Sequence, residues 1–177
     1  MNNLINVSQL KEVSETLLIT LYARYLETKR EIGIIKDEKA VEIVEKIDYD
    51  FSQVASWSMQ AVIAIRTEII DEVVREFLTQ NPQGTIVNLG AGLCTRFFRL
   101  DNGFVNWYEL DLPRVKTIWD KLIGESERHK YLSYSVMDFE WIERVKENKS
   151  EKILFIAEGL FQYGGNRRFV RRSAACR

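Results

Sequence analysis

The stretch Thr85–Arg99, TIVNLGAGLCTRFFR, decides how the rest of the chain reads. Ile86, Val87 and Leu89 make a short apolar strand. Gly90-Ala91-Gly92 follows at once, and Leu93, Phe97, Phe98 and Leu100 fall on a helical stripe. Strand, glycine turn and helix suit a nucleotide-like ligand, because glycines let backbone come close and a helix start offers free N–H groups. Alone, the pattern fits a nicotinamide dinucleotide, a flavin, S-adenosylmethionine or a tight turn without a ligand.

Composition narrows the field. A chain of 177 residues, 46% apolar and 29% charged, suits one globular domain with a sizeable core. A net charge of −1 gives no field toward nucleic acid or a membrane surface. No apolar run approaches the roughly 18–20 residues that span a bilayer, and MNNLINVSQLKE is not a signal peptide. Cys94 and Cys176 lie far apart and His129 is the single histidine. That pattern speaks against a structural metal, a disulfide scaffold and a histidine-based triad, so no metal is expected. A reduced, cytoplasmic setting is expected.

Around the glycine turn the chain divides in two. Before it come helices: Ser8 to about Arg30, then Glu38 to about Ile47 capped by Asp37, then about Ser58 to Gln80. After it strands and helices alternate. Strands are expected over 104–110, 131–136 and 153–157, and helices from Pro113 to about Ile123 and from Phe139 to about Lys149. The last strand, ILFIA, is apolar throughout, as when both faces of a parallel sheet are covered. Alternation predicts an α/β, doubly wound parallel sheet with an N-terminal helical cap. The boundaries read as 1–83 for the cap, 84–163 for a Rossmann-like core and 164–177 for a basic tail.

Acids cluster where the strands end, which is where ligands bind in such sheets. Glu109-Leu110-Asp111 ends the second strand, Met137-Asp138 the third and Glu158-Gly159 the fourth. Asp138 also fits a plain helix cap. Thr95 stands where a dinucleotide fingerprint needs its third glycine. An acid-lined cleft repels a pyrophosphate and suits adenosylmethionine, which carries a sulfonium and an ammonium. Arg66 has Val62, Ile63, Ile69 and Ile70 as its helical neighbours, so it is expected to project from a buried stripe and to need an anion. That anion is either an internal acid such as Glu109 or Asp138, or the carboxylate of the cofactor's amino-acid end; otherwise the head snorkels to solvent.

The segments TLLITLYARYLE, AIRTEIIDEVVREFL, VNLGAGLCTRFFRL, WYELDLPRV, YSVMDFEWI and FIAEGLFQY together resemble the leucine carboxyl methyltransferase family over about residues 14–163. The resemblance implies a class I, S-adenosylmethionine-dependent O-methyltransferase, whose sheet is here represented by its first four strands. By similarity Arg66 holds the methionine carboxylate, Gly90 lies against the methionine part, Asp111 binds the ribose, Asp138 and Phe139 contact the adenine, and Glu158 faces the amino group. Tyr163 stands where the family has a tyrosine lining the acceptor pocket. The family usually has aspartate at the position of Cys94, where it would lie at a helix start and pair with Arg96. A reactive thiol and a small buried residue are the two readings of Cys94.

The expected partner is a carboxylate acceptor, either a small molecule or a peptide C-terminus. Such an acceptor is ionised at neutral pH, so no catalytic base is named. The family continues well past the E-G-x-x-x-Y motif, whereas this chain ends in GGNRRFVRRSAACR, with five arginines and no acid. That ending reads as a basic tail or as a shifted reading frame. An RNA-binding role has no further support. The alternative function is accordingly a non-catalytic remnant or cofactor-binding module, with self-association through the uncovered edge of ILFIA.

Overall fold

The computed structural model describes residues 4–7, 16–53, 57–148 and 150–160. In chain order these form β1 (Ile5–Asn6), α1 (Thr16–Lys29), α2 (Glu38–Val44), β2 (Ile47–Asp48) and a 3-10 turn (Phe51–Gln53). Then come α3 (Trp57–Gln80), β3 (Thr85–Leu89), α4 (Arg96–Leu100), β4 (Asn106–Asp111) and α5 (Pro113–Leu122). β5 (His129–Ser133), α6 (Glu140–Lys146) and β6 (Ile153–Ile156) complete the set. The start of the first helix, Tyr163 and the basic tail lie outside the described residues.

Four strands make one parallel sheet in the order β5-β4-β3-β6, the α/β sheet the sequence predicts. Strands β3, β4 and β5 step outward in one direction, and β6 returns to the other side of β3. A crevice therefore opens at the carboxyl ends of β3 and β6, where the order reverses. The register places Ile86 beside Trp107 and His129 on one face, and Val87 beside Tyr108 in the alternate row. The first face packs against α3 and α4 through Val74, Leu78, Phe97 and Leu100. The second packs against Trp141 and Val145 of α6. A further core joins Leu18 and Leu21 of α1 and Ile43 of α2 to Trp119 of α5 and Tyr131 of β5.

Several details differ from the sequence reading. α2 stops at Val44, and Ile47 instead enters a two-stranded parallel ribbon with Ile5. β5 runs from His129 to Ser133 rather than 131–136. It starts early because His129 is a core residue, bonded to buried Glu109 and stacked on Phe97. It ends early because the backbone N–H groups of Met137 and Asp138 turn back onto Ser135. α4 begins at Arg96, three residues later than its apolar stripe suggests. β6 is not covered on both faces: Phe155 is 52% exposed, and the strand's outer edge is unpaired among the described residues.

Asp37 caps α2 as expected, accepting from the Ala40 N–H at 3.0 Å. It also does more. Arg24 Nε of α1, the Thr95 hydroxyl and Arg99 of α4 all donate to its Oδ2, so one buried carboxylate ties both ends of the fold together. Burial pushes this carboxyl up, but Arg24, Arg99 and the Thr95 bond more than reverse the effect and hold it below the usual range. A lowered folded value means stability that is present above the unfolded value of about 3.9 and lost as pH falls from there toward the folded one. Asp37→Asn is expected to lose about 3–5 kcal/mol at neutral pH, since two arginines keep their burial and lose their shared partner. Urea unfolding between pH 7 and pH 3 should show the wild type losing its advantage over the variant as the pH drops below about 4.

Candidate functional site

A cavity of about 630 Å³ lies at the crevice, walled by the ends of β3, β4 and β6 and roofed by α1 and α3. Its size falls in the range of roughly 300–1,000 Å³ common to small-molecule sites. The glycine turn forms its floor. Gly90 and Gly92 have φ of 68° and 55°, in the left-handed region that side chains rarely adopt. A Cβ on Gly90 would stand 2.8 Å from Leu160, and one on Gly92 would stand 2.1 Å from Leu17. The glycines thus admit α1 and the segment after β6 close to the turn. The helix starts late because the turn's own groups are engaged: Leu93 O accepts from Arg24, and the Thr95 hydroxyl is taken by Asp37.

Asp111 lines one end of the cavity. Its two oxygens accept from the backbone N–H groups of Gly92 and Leu112, each at 2.7 Å. Burial raises its pKa, and those two N–H groups offset only part of the rise. Further donors, such as the hydroxyls of a ligand, fit this carboxylate. Arg114 stands at the same end.

Arg66 and Glu158 line the other end. Arg66 Nε donates to Glu158 Oε1 at 2.8 Å, and its terminal nitrogens have no partner among the described residues. Arg96 donates to the other oxygen, also at 2.8 Å. Burial would raise the Glu158 carboxyl, but Arg96, Arg24 and Arg66 hold it below the usual range. The anion expected inside the protein for Arg66 is therefore neither Glu109 nor Asp138. Glu109 is buried and engaged by Asn88 and His129, and Asp138 is exposed. Nor does Arg66 rise from a buried stripe. Val62 and Ile69 are 61% and 56% exposed, and the Arg66 side chain sits at the boundary, 33% exposed.

Behind Glu158 runs a continuous chain of ions. Arg66, Glu158, Arg96, Asp71, Arg99, Asp37 and Arg24 follow one another in alternating charge, each bonded to the next. Cys94 borders this chain, with its sulfur 3.6 Å from a terminal nitrogen of Arg96. It lies in the turn before α4, half-buried at the cavity wall, and desolvation raises its thiol pKa, which speaks against a reactive thiol.

The structure brings Arg66, Gly90, Asp111 and Glu158 into one cavity. Asp138 and Phe139 lie on the surface outside its lining, with the Phe139 ring 47% exposed. Asp138 is also no cap: Phe139 holds the N-cap position of α6, which has no side-chain cap bond. Three residues of the ion chain escape the sequence reading, Arg24, Asp71 and Arg99. Their neighbours at three and four positions are mostly polar (Thr20, Glu27 and Thr28; Thr67, Glu68 and Arg75; Thr95, Arg96 and Asn102), so the apolar-stripe signal that singles out Arg66 is missing.

A profile of the leucine carboxyl methyltransferase family matches residues 8–167. The tetracenomycin polyketide synthesis O-methyltransferase TcmP of Streptomyces glaucescens is 32% identical over 157 residues, covering 88% of this chain and 57% of that protein. The S-adenosyl-L-methionine-dependent methyltransferase dpfgK of Gibberella zeae is 27% identical over 165 residues, covering 84% of this chain and 55% of that protein. The chain thus spans a little over half the length of the curated relatives it matches.

The glycine floor is open to a direct test. Gly92→Ala puts a side chain in the left-handed region and against Leu17, with an expected loss of about 1–3 kcal/mol in urea unfolding. Adding Leu17→Ala removes the clash and leaves the backbone strain, so the double variant should recover only part of the Gly92→Ala loss.

Proposed function

Since this chain belongs to the leucine carboxyl methyltransferase family, we propose that the cavity holds S-adenosylmethionine for transfer of its methyl group to an oxygen acceptor. The observation that carries this reading is the pairing of opposite charge demands in one cavity: Arg66, whose terminal nitrogens have no partner among the described residues, beside Glu158, and Asp111 across from them. Arg66 is placed to grip a carboxylate by two parallel bonds. Glu158, already an anion, accepts from an ammonium. Asp111 accepts from ribose hydroxyls while keeping its two bonds to the turn. The left-handed Gly90 leaves the floor bare of side chain where the methionine part would lie. For the adenine, Leu112 at the Asp111 end supports an apolar contact, and Asp138 with Phe139 would have to approach from the surface.

The cofactor supplies an activated methyl on its sulfonium; the chain supplies alignment. Holding two reactants in line contributes on the order of 7–11 kcal/mol in favourable cases. Leu17, Met59 and Val62 line the cavity and suit a site that sheds water from an apolar acceptor. We assign the acceptor as a carboxylate of a small molecule or a peptide C-terminus. A carboxylate is ionised at neutral pH, its reference pKa being about 4, and so needs no base. A phenol or alcohol would need one, and Asp111 and Glu158 are both committed to other partners.

Titration calorimetry with adenosylmethionine tests the site. Arg66→Ala should weaken binding about a hundredfold, in line with loss of charged hydrogen bonds, and Asp111→Asn about tenfold or more. Unchanged affinity in both variants, or no binding by folded wild type, sinks the reading. Transfer of labelled methyl to carboxylic acids as base-labile esters, and not to phenols, is the expected outcome for the acceptor class.

A further inference from the structure

The ion chain beside the cavity does not balance. Arg24, Arg66, Arg96 and Arg99 carry four positive charges, while Asp37, Asp71 and Glu158 carry three negative ones. The interior of the chain is matched. Asp71 sits between Arg96 and Arg99, both side chains of the Asp71–Arg96 pair being only 1% exposed, and Asp37 sits between Arg99 and Arg24. The surplus therefore appears at the ends. At one end Arg24 also donates to Leu93 O. At the other, Arg66 has no partner for its terminal nitrogens among the described residues and lines the cavity, sharing Glu158 with Arg96.

The residue that would have filled the deficit is at position 94. Its sulfur lies against Arg96 and its side chain borders the cavity. A carboxylate there would engage Arg96, free Glu158 for Arg66 and bring the chain to neutrality. The thiol is neutral, and its burial raises the pKa further. Among the described residues, the other acids near the cavity do not supply the charge. Glu109 is committed to Asn88 and His129, and Asp111 lies at the opposite end beside Arg114.

We propose that Cys94 sets the charge that the cavity demands of its ligand. With a neutral side chain against Arg96, the ion chain is one negative charge short at Arg66, and the site selects adenosyl ligands that carry a carboxylate over those that lack one. This rests on the reading of the cavity as an adenosylmethionine site. Arg96 is not left unpaired, because Asp71 and Glu158 already hold it, and the unmet charge is passed to the ligand.

The test compares adenosylmethionine with decarboxylated adenosylmethionine, which keeps the sulfonium and the ammonium. Calorimetry on wild type, Cys94→Asp and the size-matched, uncharged Cys94→Asn gives a ratio of affinities for each. Wild type and Cys94→Asn should prefer the carboxylate-bearing ligand by about a hundredfold, and Cys94→Asp should cut that preference about tenfold or more. Arg99→Gln provides a second route if Cys94→Asp does not fold. It removes one positive charge away from the cavity, while Asp37 keeps Arg24 and Asp71 keeps Arg96, so it too should lower the ratio. Equal affinities in wild type overturn the inference and the assignment of Arg66 to the ligand's carboxylate, and leave cofactor binding itself standing. A preference that stays the same in both charge-altering variants overturns the inference alone. No binding of either ligand by folded wild type overturns the cofactor reading, and this inference with it.

Discussion

Everything near the crevice depends on the contact between Asp71 and Arg96, two fully charged groups buried together at 1% exposure each. Such a pair is a poor source of net stability, because removing two ions from water is itself expensive. Its use is geometric. Each member is bonded onward, Asp71 to Arg99 and Arg96 to Glu158, so none of the groups can move without leaving another unpaired in the interior. Through these bonds α3, α4, α1, the cap of α2 and the segment after β6 are fixed with respect to one another. The apolar cores hold the same elements together with much less directional preference. The ions decide which angle each element takes above the sheet.

The cavity inherits its chemistry from that framework. One wall is the outer end of the ion chain, the opposite wall is an acid bonded to the glycine turn, and the floor is bare backbone. Asp111 and Gly92 show how tightly these are joined. The carboxylate that lines the cavity is also the acceptor that fixes the turn beneath it. The turn in turn needs Gly92 because Leu17 of α1 occupies the space a Cβ would fill. Ligand site, turn and overlying helix are therefore one mechanical unit.

Local signals gave the parts of this unit that depend on backbone chemistry. Gly90-Ala91-Gly92 marks its turn, Pro113 opens its helix and Asp37 caps its helix, each for reasons contained within a few residues. Arg66 was singled out by its apolar neighbours, although two of those neighbours face solvent, and its partner is Glu158 rather than the acids first considered. Arg24 and Asp71 gave no warning, because a polar residue among polar neighbours reads as a solvated face until a distant partner arrives to bury it. The displaced start of β5 has the same origin. Nothing around His129 announces a core position; Glu109 on the adjacent strand and the Phe97 ring of α4 make it one. Where Asp138 and Phe139 lie was set by the turn onto Ser135, a hydroxyl-driven bend that strand periodicity does not register.

The reversal in strand order has a consequence for how the molecule is made. Arg66 and Glu158 are 92 positions apart in the chain, and Arg96 and Glu158 are 62 apart. A ribosome delivers the helices, the glycine turn and β4 with β5 well before β6. Until that last strand docks against β3, Arg66 and Arg96 share no carboxylate between them, and the cavity has only one of its two acidic walls. The growing chain thus passes through a period in which its ligand pocket is unfinished and its guanidinium groups are under-matched. Docking of β6 and arrival of Glu158 at the cavity are the same event, so the cavity gains its second acidic wall only once β6 has paired with β3.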